Sequence, residues 1–154
     1  MTSNSDIKSP ISWSKALFNG LIAWLLGLIL YLIPGFVVAI PMGFDLGPKL
    51  NDTSEIGRII GQAVSQMYQS NIYLHFGYVF VLAVLILWRS RVISKRHVTK
   101  SVTPGLLVAV VPLILTAAPF AVGGHTLIGV LAVVLFLLAG LIGSFKKPTS
   151  APTS

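Results

Sequence analysis

The 154-residue chain is 55% hydrophobic and 10% charged, with a mean hydropathy of +0.87. A soluble domain carries about 25% charged residues, so this composition excludes a water-soluble globule and calls for lipid as part of the solvent. The net charge of +7 sits on cations that flank apolar stretches, which argues against nucleic acid and leaves anionic lipid headgroups as their natural contact.

The sequence contains no cysteine, which removes disulfides, thiolate nucleophiles and thiolate metal ligands. Residues 1–15 are polar and Ser-rich, carry Lys8 and Lys15, and read as a cytoplasmic tail with Trp13 at the headgroup level.

From Ala16 to Ile40 no charge interrupts the chain. At ~1.5 Å per residue this stretch covers roughly 36 Å, enough to cross a hydrocarbon core of about 30 Å with some tilt. It predicts a first span over 16–40 and exceeds the h-region of a signal peptide, about 7–15 residues. Pro34-Gly35 predicts a kink, and Pro41 predicts the end of the helix. Ala16, Gly20, Ala23 and Gly27 form a stripe of small side chains on one face. Such stripes admit a neighbouring helix at close range, so Gly20, Ala23 and Gly27 are the expected packing residues.

Residues 42–71 hold Asp45, Lys49, Asp52, Glu55 and Arg58 and are weakly acidic. Asp52-Thr53-Ser54-Glu55 predicts a helix start with Asp52 as N-cap. Beyond it Ile56, Ile59, Ile60, Ala63, Val64, Met67 and Tyr68 share one face, opposite Arg58, Gln62, Ser65, Gln66 and Gln69. That pattern is an amphipathic helix of about four turns. Its polar face is mainly amide and hydroxyl, with only Arg58 basic, which favours contact with protein over anionic lipid.

The second span is expected over 71–88, with Tyr73 and Tyr78 toward its outer end and Trp88 at the inner interface. It is followed by a basic run. Arg89, Arg91, Lys95, Arg96 and Lys100 fall within twelve residues that contain no acid. A cationic segment between two apolar ones is held on the cytoplasmic side, so these five residues are the expected topology determinants.

Thr103-Pro104 opens the third span, over 104–121, with a kink expected at Pro112 and a small-residue pair at Gly105 and Ala109. Pro119 to Gly124 reads as a tight turn. The fourth span, over 125–145, carries Gly129, Ala132, Ala139, Gly140 and Gly143. Lys146 and Lys147 stop it, and 146–154 read as a disordered cytoplasmic tail. The expected fold is therefore an all-α, integral-membrane four-helix bundle with an extracytoplasmic amphipathic helix between its first two spans. Both termini are expected on the cytoplasmic side of the inner membrane.

Catalytic signatures are absent. No Walker A, HExxH or GxSxG motif occurs, and no Asp, Glu, Lys or Arg lies inside any of the four expected spans. This favours a non-enzymatic accessory or scaffold component without a cofactor. Its partners would be the bilayer and another membrane protein, or further copies of itself. An oligomeric small transporter or channel is a further alternative.

His75 and His125 are the candidate cofactor-binding residues of another alternative, an electron-transfer protein that binds b-type haem or a quinone. Counted from Trp88 and Phe145, the two histidines differ in depth by roughly 10 Å, which argues against one shared haem. His97, in the basic run, reads as solvated.

Overall fold

The computed structural model describes residues 12–50, 52–96 and 102–145, without the side chains of Lys95, Arg96 and Ala121. The tails, Lys100, His97 and the side chains of Lys95 and Arg96 lie outside the described residues. Those described are helical almost throughout: α1 (Trp13–Leu46), α2 (Thr53–Ser70), α3 (Ile72–Arg96), α4 (Thr103–Pro112), a π-helical turn (Leu113–Ala117), α5 (Ala118–Val122) and α6 (Thr126–Ser144). Four helices are long and apolar enough to cross a membrane: α1, α3 over Ile72–Ser94, the α4–α5 unit over Thr103–Phe120, and α6.

The four run alternately up and down. α3 packs against α6 and α1, α4 packs against α1 and α6, and α3 meets α4 across the diagonal, with α1 and α6 at opposite corners. The centre is filled by Phe136, Leu82, Ile86, Ile128, Val79 and Val108, all essentially inaccessible. The start of α1, the end of α3, the start of α4 and the end of α6 share one end of the bundle, which is also the basic end.

Small residues set the helix spacing. An added Cβ at Gly20 on α1 would meet the Val108 carbonyl of α4, and one at Gly105 would meet the Gly140 carbonyl and Ser144 hydroxyl of α6. An added Cβ at Gly140 would lie 2.6 Å from the Gly105 carbonyl, and one at Gly143 would lie 2.5 Å from Ser90 Cβ on α3. Backbones approach this closely only where no side chain intervenes, and the Cα–H groups then face carbonyl oxygens. Pro112 explains part of the α1–α4 contact. It has no N–H to give the Val108 carbonyl, so that oxygen is spared for Gly20.

Three expected boundaries are corrected. α1 continues through Pro41 to Leu46. A proline removes one ladder bond and crowds the carbonyl four residues back, but a helix packed on a neighbour tolerates this. Beyond Pro34 that neighbour is α2, with Tyr68 and Val64 against Gly35 and Ile60 near Gly43. α3 runs past Trp88 to Arg96, so Arg89 and Arg91 lie on a helix rather than in a loop. Buried Ser90 and Ile93 dock these extra turns on the bundle. Pro119 does not open a turn; the helix continues to Val122, and the chain reverses at Gly123–Gly124, where Gly124 adopts φ 84°. A π turn lies between the two prolines.

The amphipathic α2 leans on α1 and touches α3 at its end. Its apolar face is half-buried and its polar face exposed. Asp52 caps it, accepting from the Ser54 backbone N–H at 2.8 Å and from the Ser54 hydroxyl at 2.7 Å. The Ser54 hydroxyl first, and its N–H second, hold the Asp52 carboxyl below its ordinary value of 3.8. The cap therefore contributes stability above that value and loses it as pH falls through the lowered one. The protection factors of the amides in the first turn of α2, with the intrinsic pH dependence of exchange divided out, are expected to fall over that acid window, and to be already low and constant there in Asp52→Ala.

Candidate functional site

Away from the basic end, a cluster of polar aromatic side chains is buried between α1, α2, α3 and the α5–α6 connection. Tyr31 is its hub. Its hydroxyl is 2.8 Å from His75 Nδ1, and its backbone carbonyl accepts from the Tyr68 hydroxyl at 2.6 Å. The Tyr31 ring lies 4.9 Å from that of Tyr68 and 4.6 Å from that of Tyr78. Position follows from sequence: Gly27, Tyr31 and Gly35 continue the small-residue stripe at intervals of four, so Tyr31 emerges toward the bundle with space on either side of it.

Tyr78 is buried, and its hydroxyl pairs with that of Thr116 at 3.2 Å. The sequence placed Tyr78 at the interface beside Tyr73. Only Tyr73 is exposed; Tyr78 lies on the opposite side of α3, with Val79 and Leu82. Thr116 belongs to the π turn, whose wider winding shifts the phase of the side chains that follow.

His75 is 6% exposed. Its ring centre is 5.1 Å from that of His125 and 5.2 Å from that of Phe120. This overturns the expected 10 Å difference in depth. Trp88 and Phe145 were the wrong reference points, because α6 packs with Gly143 against Ser90 and Leu87. Counted from Gly143 and from Ser90, whose Cβ is the nearest atom of that contact, the two histidines differ by about 4.5 Å of helical rise, which two side chains can span. His125 is the N-cap of α6, but its side chain makes no capping bond, so the ring is free to turn toward His75.

Two imidazoles that ligate one haem from opposite faces stand roughly 6 Å apart, centre to centre, in line through the iron. Here the rings approach more closely, at 42° to each other, with Phe120 near both. The arrangement does not fit a macrocycle between them. Two neighbouring clefts, of about 120 Å³ beside Trp24 and Phe120 and about 170 Å³ beside Gly77 and Tyr73, fall below the ~300 Å³ at which ligand pockets begin.

The other expected site residues lie elsewhere. Gly20, Ala23 and Gly27 are buried on the inward face of α1. Arg89 holds its guanidinium 4.8 Å from the Trp88 ring centre, and Arg91 is exposed. The sequence reading missed Tyr68 and Phe120 as members of the cluster. The Tyr68 hydroxyl reaches α1 from a separate helix, and no local spacing announces that contact.

The class these observations define is a helical protein with, among the described residues, no strand and four helices long and apolar enough to span a membrane. Comparison with family models, with curated proteins and with solved structures finds no match to this chain.

Proposed function

We propose that the protein is a non-enzymatic accessory component of a membrane assembly, working by presenting α1, with α2 alongside it, to another membrane protein. The observation that supports this most is the unpartnered side of α1. It uses its small-residue face for its own bundle, while Phe18, Leu25, Ile29, Ile33, Phe36, Ile40 and Phe44 stay exposed along one seam. From Phe18 to Phe44 the seam extends roughly 39 Å, longer than a hydrocarbon core of about 30 Å. Lipid alone does not cover a seam of that length on an upright helix. Where it overshoots, α2 lies beside it, with a polar face that is mainly amide and hydroxyl.

In this reading the segment containing α2 is extracytoplasmic, both termini are cytoplasmic, and the membrane is the cytoplasmic one. The dominance of cations at one end supports that orientation. The protein would need no haem or quinone. A pore would have to form between copies, since apolar side chains fill the bundle centre.

Photoreactive residues at Phe36, Ile40 and Phe44 test the proposal in cells, with Val130 and Val134 on α6 as the reference face. Adducts to one protein species from α1 positions alone are expected. A product of twice the chain mass would make the partner a second copy. Equal labelling from both faces would defeat the reading.

A further inference from the structure

We propose that the exposed seam of α1 is the contact surface for a second copy of this chain, the two α1 helices lying side by side and parallel about a two-fold axis along the membrane normal. This names the partner left open above and rests on that reading.

The seam does not stop where the other spans stop. Gly20 packs on Val108, so the two are level. From Val108 the chain rises about 22 Å to its reversal at Gly123, which stands level with Gly35 on α1. The start of α3 gives the same level. His75 bonds Tyr31, and Ile72 lies three residues beyond His75 as Pro34 lies three beyond Tyr31. From Gly35 to Leu46, α1 therefore continues about 17 Å past its neighbours, accompanied among the described residues by α2 alone.

Water surrounds the tip of this hairpin. Asp45 and Lys49 form an exposed ion pair at 2.7 Å there, and the polar face of α2 is exposed. Phe36, Ile40 and Phe44 stand on the projecting part, and Phe44, next to Asp45, is 80% exposed. α2 leaves them open because it packs on the side of α1 that carries Gly35 and Gly43. On α6, by contrast, exposed Val130 and Val134 stand within the length of the bundle, where lipid covers them. A row of large apolar side chains continued into water marks a surface for protein.

Length, spacing and area point to a copy as its occupant. The mate must be a membrane helix that carries apolar side chains for roughly 39 Å, through the hydrocarbon and on past it. α1 is such a helix, and two copies inserted the same way round place each seam residue level with its twin. Leu25 and Phe36, Ile29 and Ile40, and Ile33 and Phe44 are each eleven residues apart. That repeat corresponds to about 3.67 residues per turn, so the seam stays on one side of the helix and two seams meet along it with a slight right-handed crossing. No charge lies between Ala16 and Phe44, so identical seams do not repel. The seven seam residues leave roughly 100 Å² each uncovered, about 1,400 Å² in a pair, which reaches the size of a stable interface.

The chain has no cysteine, so Phe36→Cys, Ile40→Cys and Phe44→Cys each introduce a single thiol. In native membranes under mild oxidation, a disulfide-linked product of twice the chain mass is expected from at least two of the three. None is expected from Gln62→Cys or Gln66→Cys, which stand in the same water layer on the polar face of α2. Sedimentation equilibrium of the full-length protein in density-matched detergent should show a dimer. Its dissociation constant should rise about 30-fold or more when Ile40→Gln and Phe44→Gln are combined. Both positions are exposed in the single chain, so unaltered circular dichroism would show that the fold survives. Equal linkage from the α2 positions would overturn the seam as the contact. A monomer at every concentration, with no linked product in membranes, would overturn the second copy. If photoreactive α1 positions then still capture one different protein in cells, the function proposed above stands with that protein as partner; if they capture none, both fall.

Discussion

Gly105→Leu and Gly140→Leu are expected to lose the native bundle in detergent. At each position the obstacle to a side chain is backbone. Gly105 faces the Gly140 carbonyl, and Gly140 faces the Gly105 carbonyl at 2.6 Å from where its Cβ would stand. Overpacking that neighbours can absorb costs about 1–3 kcal/mol. Here no rotamer change relieves the clash and the helices must part, so a loss on the order of 3 kcal/mol or more is expected. At Gly27 the obstacle is Leu82 Cδ1, the end of a side chain that can swing away. Gly27→Ala should therefore sit at the low end of that range. Gly77 has nothing within 4 Å of its added Cβ. Gly77→Ala should be neutral, or stabilising by up to about 1 kcal/mol through helix propensity. Thermal melts would rank the four variants, and a Gly105→Leu protein melting with the parent would sink this account of helix spacing.

The same residues show how far the sequence could be read. Four apolar stretches, parted by charged segments and, between the third and fourth, by Gly123-Gly124, are legible in the sequence, and they marked the helices long and apolar enough to span a membrane without tertiary knowledge. The stripe Ala16–Gly20–Ala23–Gly27 was legible because its period is the helix's own. Which helix it meets was not legible, since Val108 and Leu82 carry no mark of facing it. Proline misled at Pro41 and Pro119. A lone proline states the local cost of helix continuation, while packing along the whole segment decides whether that cost is met.

The histidine pair shows a different limit. His75 and His125 were identifiable as the polar residues worth weighing in those helices, but their separation depends on register between α3 and α6. Counting from Trp88 and Phe145 assumed that these two aromatics are level. The Gly143–Ser90 contact shows that α3 extends below that level. Tyr31 was visible as a hydroxyl in an apolar helix, yet its partners come from α2 and α3 and depend on long-range packing.

Neutralising Arg89, Arg91, Lys95, Arg96 and Lys100 together to Gln is expected to turn one membrane orientation into a mixture. A cation near an anionic membrane surface is worth about 1 kcal/mol, so five contribute on the order of 5 kcal/mol toward holding this segment inside. Lys8, Lys15, Lys146 and Lys147 flank the first and last spans and still favour the original orientation, which is why a mixture rather than a clean inversion is expected. The five positions are not equivalent. Arg91 is exposed on α3, so Arg91→Gln removes charge and little else. Arg89 stacks beside Trp88 and has its Nε buried, so Arg89→Gln also removes packing. If orientation is set by charge alone, the two single variants should shift it equally, and only Arg89→Gln should lower the melting temperature. Reporter fusions after Ser70, Lys95 and Ser150 read the outcome. In the parent, external activity is expected at Ser70 only. External activity at Lys95 in the parent would reverse the orientation proposed for every helix.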